Sequence, residues 1–297
     1  MVSEITIHSK GYKSIDYMLE SKCQNFANPC KMCYMNSYEF LGKPIKKDFG
    51  RILSDLEILT SQGYNIFFIT RDILNRKDWK EIVSAGKQTH VLTTGEPLIK
   101  NPDIINDLVN LRIKQVIMTY SAASNEQDEL NLPKKDHVTE ASNLCRMQGL
   151  SVMLTMIVYK NNYTKPKEMI QAAVDAKATD IRFVPYVPFF NLSLAMTPDE
   201  TKKFVESVNN IKKENIFPKD KIYIALEGLF SGYHKGVCDA GAKNHFLIGL
   251  DNYIYPCNFL VKPQFVIGRF DGKNVIINNK KQNRAYCRAL EMYIGSL

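Results

Sequence analysis

The chain has 297 residues, 45% of them hydrophobic and 24% charged, and its 39 Lys plus Arg against 31 Asp plus Glu leave +8 at pH 7. That length allows one large α/β domain plus a small appendage, with ample core. No apolar run approaches the ~18 residues of a membrane span, and Met1 to Lys10 is polar and mixed rather than a signal peptide.

The expectation is therefore a cytoplasmic protein with reduced thiols, in which clustered cysteines mean metal or redox chemistry rather than disulfides. A pI near 9.0 raises the question of nucleic acid. The lysines fall in short groups such as Lys43-Pro-Ile-Lys46-Lys47 and Lys280-Lys281. They read as solvated surface, and no aromatic RNA-binding signature accompanies them.

Along the chain, Glu4 to His8 alternates apolar and polar residues as an edge strand does, and Ser14 to Leu19 is a second short strand. Next comes the stretch SKCQNFANPCKMCYMNS, which spaces Cys23, Cys30 and Cys33 as C-x6-C-x2-C. A cluster of four irons normally takes one thiolate per iron, so three thiolates leave one iron open to a non-protein ligand. Structural zinc is the alternative. It would need a fourth Cys or His close by, and the nearest histidines are His8 and His90.

A repeating pattern follows. Phe49 to Gln62 has a helical apolar stripe, and Asn65 to Thr70 is a short apolar strand. Asp78 is expected to cap a helix through Val83, and His90 to Thr94 to form a strand. Asn101-Pro102 is expected to open a helix, with proline at its first turn. Gln115 to Ser121 reads as a strand, and Val138 to Cys145 as a helix in which Cys145 is core. Strand Ser151 to Tyr159, helix Pro166 to Ala176 and strand Asp180 to Val187 come next. Thr197 to Glu200 is a capping box for a helix through Ile211. This alternation predicts a parallel sheet with crossover helices, closed as a barrel or doubly wound, its site at the C-terminal strand ends.

After Lys219 the strands shorten: Ile222 to Ala225, Phe246 to Ile248, Tyr253 to Tyr255, Phe265 to Ile267 and Val275 to Asn278. Asp251-Asn252 suits a tight hairpin. Residues 220–297 thus read as a small β-rich domain carrying Cys238, Cys257 and Cys287, appended to residues 1–219.

The whole constellation resembles the radical S-adenosylmethionine enzymes that carry a C-terminal SPASM or twitch domain. The cluster loop departs from the usual C-x3-C-x2-C by three inserted residues, with Met32 where an aromatic is common. Thr70-Arg71-Asp72 stands where the family has Gly-Gly-Glu-Pro, and Thr93-Thr94-Gly95 aligns with Thr-Asn-Gly at the third strand, which makes Glu96 in Gly95-Glu96-Pro97 a lookalike. Cys238-Asp-Ala-Gly241 and Asp251-Asn252-Tyr-Ile-Tyr-Pro256-Cys257 are similar to the family's C-x-A-G and D-G-x-x-Y-P-C, and Leu290 stands where a fourth cysteine would follow Cys287.

The resemblance implies a partial (β/α)6 TIM-type barrel with a C-terminal auxiliary-cluster domain. It implies that Cys23, Cys30 and Cys33 hold a [4Fe-4S] cluster that binds S-adenosylmethionine. Cys238, Cys257 and Cys287 would hold a second iron–sulfur cluster, expected to be [4Fe-4S], with Asp239, His234 or His245 as possible fourth ligands. Met32, Tyr34, Thr70, Asp72, Thr94, Ser121 and Val184 would contact S-adenosylmethionine. Asp72 would take its amino group, Ser121 a ribose hydroxyl, and Val184 on the sixth strand the adenine. The implied activity is hydrogen abstraction from a peptide or small molecule, with flavodoxin or ferredoxin as reductant. Glu227 and Tyr255 are possible acid/base groups, and no catalytic residue is assigned. The rival reading is a non-enzymatic, zinc-bearing, nucleic-acid-binding protein.

Overall fold

The computed structural model describes residues 5–6, 13–20, 30, 31, 33, 35, 38, 47–70, 72–120, 130, 132–187, 191–217, 222–227, 230 and 245–277. The fold is α/β, and the chain divides into two units.

In the first unit, β1 (Ile5–Thr6) and β2 (Lys13–Met18) precede α1 (Phe49–Ser61), β3 (Tyr64–Ile69) and α2 (Trp79–Ala85). The apolar stripe expected on α1 is buried at Ile52, Leu56 and Leu59. One charged residue, Asp55, shares that buried stripe. The C-terminal strands β9 (His245–Ile248), β10 (Tyr253–Tyr255), β11 (Gly268–Phe270) and β12 (Val275–Ile277) join the same sheet, in the order β1-β12-β11-β10-β9-β2-β3. β2 runs parallel to both β3 and β9, pairing Ile15 with Ile66 on one side and with Phe246 on the other. From β9 onward the pairing is antiparallel. Asn252 takes φ +62° in the β9–β10 hairpin, a left-handed conformation that Asn tolerates better than most residues.

The second unit holds a fully parallel sheet: β4 (His90–Thr93), β5 (Gln115–Thr119), β6 (Ser151–Val158), β7 (Asp180–Pro185) and β8 (Tyr223–Leu226), side by side in sequence order. A doubly wound sheet reverses its strand order at a switch point. This one never does, which is how barrel strands are laid down. The crossovers are α3 (Glu96–Lys100), α4 (Asp103–Asn110), α5 (Lys135–Met147), α6 (Pro166–Asp175) and α7 (Pro198–Lys213). Helices pack on one face of the sheet, where Phe183 meets Phe204 of α7 edge-on at 5.1 Å between ring centroids. Cys145 is fully buried on α5, and burial pushes its thiol up to about 12. The capping box of α7 forms as expected, with Thr197 and Glu200 bonded reciprocally.

Several local expectations are corrected. Asp78 occupies the N-cap position of α2 but makes no cap hydrogen bond. Its carboxylate takes the Arg76 guanidinium in two parallel bonds of 2.9 and 2.8 Å, a stronger pairing than a cap. The helix after Asn101-Pro102 begins one residue late, with Pro102 at the N-cap, and the short α3 before it was not foreseen. The Phe265 to Ile267 run is not a strand. Pro263–Phe265 forms a 3-10 turn, and β11 starts at Gly268, where the backbone passes too close to Ile276 for any side chain. The expected strand Ile222 to Ala225 exists as β8, but it pairs in parallel with β7.

Candidate cofactor site

In the first unit, the C-terminal ends of β2 and β3 bring a charged group together. Thr70 is buried just past β3, and its hydroxyl donates to Glu20 at the end of β2. Arg76 Nη1 lies 3.9 Å from the other Glu20 oxygen while its fork holds Asp78. Asp72 is 2% exposed, and its carboxylate accepts from the Leu74 N–H at 3.2 Å, capping the 3-10 turn Ile73–Asn75. Asp72 and Thr70, both proposed from sequence, are thus already bonded to the protein. Glu20 was missed. Its only sequence signal is its position immediately before the cysteine stretch.

In the second unit, the turn at Cys30 and Cys33 closes with the Cys33 N–H donating to the Cys30 carbonyl at 3.0 Å. Between them, the Lys31 N–H donates to the Leu130 carbonyl at 3.0 Å. Leu130 and Leu132 pack with Ile157, Tyr159 and Tyr186, and Val184 lies against the same cluster. Ile157, Val184 and Tyr186 sit at the C-terminal ends of β6 and β7. A two-cysteine turn is therefore tethered, through one hydrogen bond and an apolar cluster, to the strand ends where a parallel α/β sheet builds its sites. Val184, expected against adenine, lies in that cluster. Both cysteines of the turn are half-buried.

Thr94 is half-buried after β4. The next residue, Gly95, has φ +85°, and a Cβ there would lie 3.0 Å from Ala141 Cβ and 3.1 Å from the Met118 sulfur. Close packing of β5 and α5 explains the glycine in Thr93-Thr94-Gly95. Glu96 is half-exposed and pairs with Lys100 one turn along α3.

Cys257 is buried with Leu260 and Phe265 in the first unit. His245 makes a poor metal ligand here: Nδ1 lies 2.9 Å from Ser14 Oγ and Nε2 3.0 Å from Asp16 Oδ2, so both ring nitrogens are taken. Tyr255 donates to Asp251 at 2.7 Å, and burial followed by that carboxylate raises its phenol. Cys23, Met32, Tyr34, Ser121, Cys238, Cys287, His234 and Asp239 lie outside the described residues. Among the described residues no three Cys, His, Asp or Glu gather as metal ligands. Each proposed cysteine set has at least one member outside them. For the first set, the chemistry of the donors fits a thiolate-bound cluster: two cysteines with two residues between them within one hydrogen-bonded turn.

The face of the parallel sheet away from the helices is not apolar throughout. On it, Arg182 Nε donates to Thr155 Oγ1 at 3.0 Å and Arg182 Nη1 pairs with Glu227 at 3.2 Å. Burial and the Arg182 charge both hold His90, at the start of β4, below the usual imidazole range.

No family model and no curated protein matches the chain. Solved structures do match. SuiB of Streptococcus suis bound to the precursor peptide SuiA superposes with a TM-score of 0.65 at 14% identity, over 86% of this chain and 62% of SuiB. Native anSMEcpe with bound AdoMet superposes with a TM-score of 0.65 at 13% identity, over 86% of this chain and 77% of that one. The form that also holds the Kp18Cys peptide gives 0.66, again at 13%. The chain has their fold. It is a partial (β/α)6 TIM-type barrel with a small β-rich C-terminal part, and it spans less than two thirds of the length of SuiB. No helix among the described residues is long and apolar enough to cross a membrane.

Proposed function

We propose that the chain is a radical S-adenosylmethionine enzyme that reductively cleaves its cofactor and abstracts hydrogen from a peptide. One observation carries the reading. The Cys30–Cys33 turn is bonded to the segment that packs on the C-terminal ends of β6 and β7, in a fold whose solved examples hold S-adenosylmethionine. Peptides in the SuiB and anSMEcpe structures favour a peptide over a small metabolite.

Cys23, Cys30 and Cys33 would hold a [4Fe-4S] cluster. When bound, that cluster would supply the electron for reductive cleavage of S-adenosylmethionine, which would in turn supply the hydrogen-abstracting group. The chain's own residues orient the cofactor and exclude water. Met32, Tyr34 and Val184 would pack against adenine, Ser121 would take a ribose hydroxyl, and Thr94 would contact the cofactor at the third strand end. Asp72 would attract the ammonium, and Thr70 would contact the cofactor from the end of β3.

Cys238, Cys257 and Cys287 would hold the second cluster, for electron transfer or substrate ligation. The functional division stays at residues 1–219 and 220–297, with β8 just past the boundary. The setting is cytoplasmic, and the reductant flavodoxin or ferredoxin. Anaerobic reconstitution with iron and sulfide tests the proposal. It should give a brown protein with about eight irons per chain that forms 5′-deoxyadenosine under reductant. A colourless protein that binds zinc stoichiometrically, and binds RNA with steep salt dependence, would replace this reading with the zinc-bearing alternative.

A further inference from the structure

We infer that Arg182, held by Thr155 and only partly engaged by Glu227, forms a carboxylate-binding subsite that reads the substrate. The inference rests on the proposed peptide-modifying function.

Successive residues of a strand point to opposite faces. Met118, under Gly95 and α5, and Phe183, against Phe204 of α7, mark the helix-covered face. Ile117, Thr155, Ile157, Arg182 and Val184 therefore lie on the other face. Inward layers of a parallel barrel are normally filled by branched apolar side chains. The Ile157 and Val184 layer conforms. The next layer toward the strand N-termini does not, because it holds Thr155 paired in register with Arg182.

Arg182 spends Nε on Thr155 and one Nη1 hydrogen on Glu227. Its remaining N–H groups have no partner among the described residues. The side chain is 24% exposed, and that of Glu227 is 44% exposed. A guanidinium is always charged and presents a planar fork matched to a carboxylate. Partial burial strengthens such a bond over one at the open surface. Two residues along a strand span about 7 Å, so this fork sits one layer from Val184, where adenine is proposed to pack. A substrate carboxylate held there would lie in the layer next to the one proposed for adenine. Asp180, one layer further, gives its Oδ2 to Gln115 and Thr179 and not to the fork.

The carboxylate can be an acidic side chain or a free α-carboxyl. Isothermal titration of the reconstituted, S-adenosylmethionine-loaded protein distinguishes them with four probes: acetyl-Gly-Glu-Gly-amide, acetyl-Gly-Gln-Gly-amide, acetyl-Gly-Gly-Gly with a free C-terminus, and its amide. At least one carboxylate peptide should bind ten-fold or more tighter than its neutral partner. Arg182→Gln should erase that preference, and Arg182→Lys should keep part of it. Glu227→Gln should tighten carboxylate binding several-fold, because it removes the group that competes for the fork. S-adenosylmethionine affinity should be unchanged in all three variants.

Equal binding of charged and neutral probes overturns the inference, as does an unchanged preference in Arg182→Gln. Loss of S-adenosylmethionine binding in Arg182→Gln also overturns it, by assigning the fork to the cofactor. Should Arg182→Gln fail to fold, the sign of the Glu227→Gln effect decides. Peptide preference with no 5′-deoxyadenosine formed would sink the enzyme reading and leave the subsite standing.

Discussion

Lys47 lies in the core of the first unit, and replacing it with methionine should make the protein more stable at neutral pH. The side chain is 4% exposed, and its ammonium rests 4.0 Å over the Tyr17 ring and lies 3.8 Å from Asp55. Asp55 is already engaged: Tyr17 donates to it at 2.6 Å and Arg51 Nε at 2.7 Å. The Lys47 ammonium itself makes no hydrogen bond among the described residues. Burial outweighs the attraction of Asp55 and pushes the amine from 10.5 down to about 7.

The unfolded chain then binds more protons than the folded one between pH 7 and 10.5, so stability rises across that window. Above 10.5 the amine is neutral in both states. As pH falls toward 7 the advantage is lost, because the fold must hold a poorly solvated charge. A shift of that size, at 1.36 kcal/mol per pKa unit, corresponds to on the order of 5 kcal/mol. Urea denaturation of wild type and Lys47→Met, under reducing conditions at pH 6.5, 8 and 9.5, measures it. Only the difference between the two proteins matters, so other groups that titrate there cancel. Lys47→Met should be more stable by several kcal/mol at pH 6.5, and the gap should close as pH rises. A pH-independent gap would refute the reasoning, as would a variant less stable at pH 6.5.

Two further substitutions probe the site and the scaffold. Asp72→Asn keeps a side-chain acceptor for the Leu74 N–H but removes the charge. If Asp72 receives the ammonium of S-adenosylmethionine, affinity should drop by roughly ten- to a hundred-fold with iron content unchanged, and equal affinity in a titration would end that role. At Gly268, an alanine Cβ would lie 2.1 Å from the Ile276 carbonyl oxygen and 2.9 Å from Ile277 Cα, both backbone. Gly268→Ala should therefore lower stability by roughly 3 kcal/mol or more, beyond ordinary overpacking, and an unchanged urea midpoint would count against the β11–β12 pairing.

Much of the architecture was legible because local pattern and global fold agree. The stripe of α1, the apolar strands, the capping box at Thr197 and the Asp251-Asn252 hairpin all encode their structure within a dozen neighbouring residues. The errors came where a particular side-chain contact outbid a local preference. Asp78 has a cap residue's side chain and position, yet Arg76 offers two charge-assisted bonds. Lys47 sits in a basic group that reads as solvated surface, and only the packing of Tyr17 and Asp55 around it reveals a buried amine.

Sequence by itself determined the cysteine spacings, the alternation of strand and helix, and the residues that resemble a radical enzyme family. These are properties of nearest neighbours and of period, which a chain carries before it folds. Tertiary structure decided that the strands run in unreversed order and that β8 closes the parallel sheet. It also decided that His245 is spent on Asp16 and Ser14, and that Arg182 meets Glu227 across 45 residues. Those are contacts between strands brought together only by pairing, and no local pattern specifies which side chain will stand opposite another.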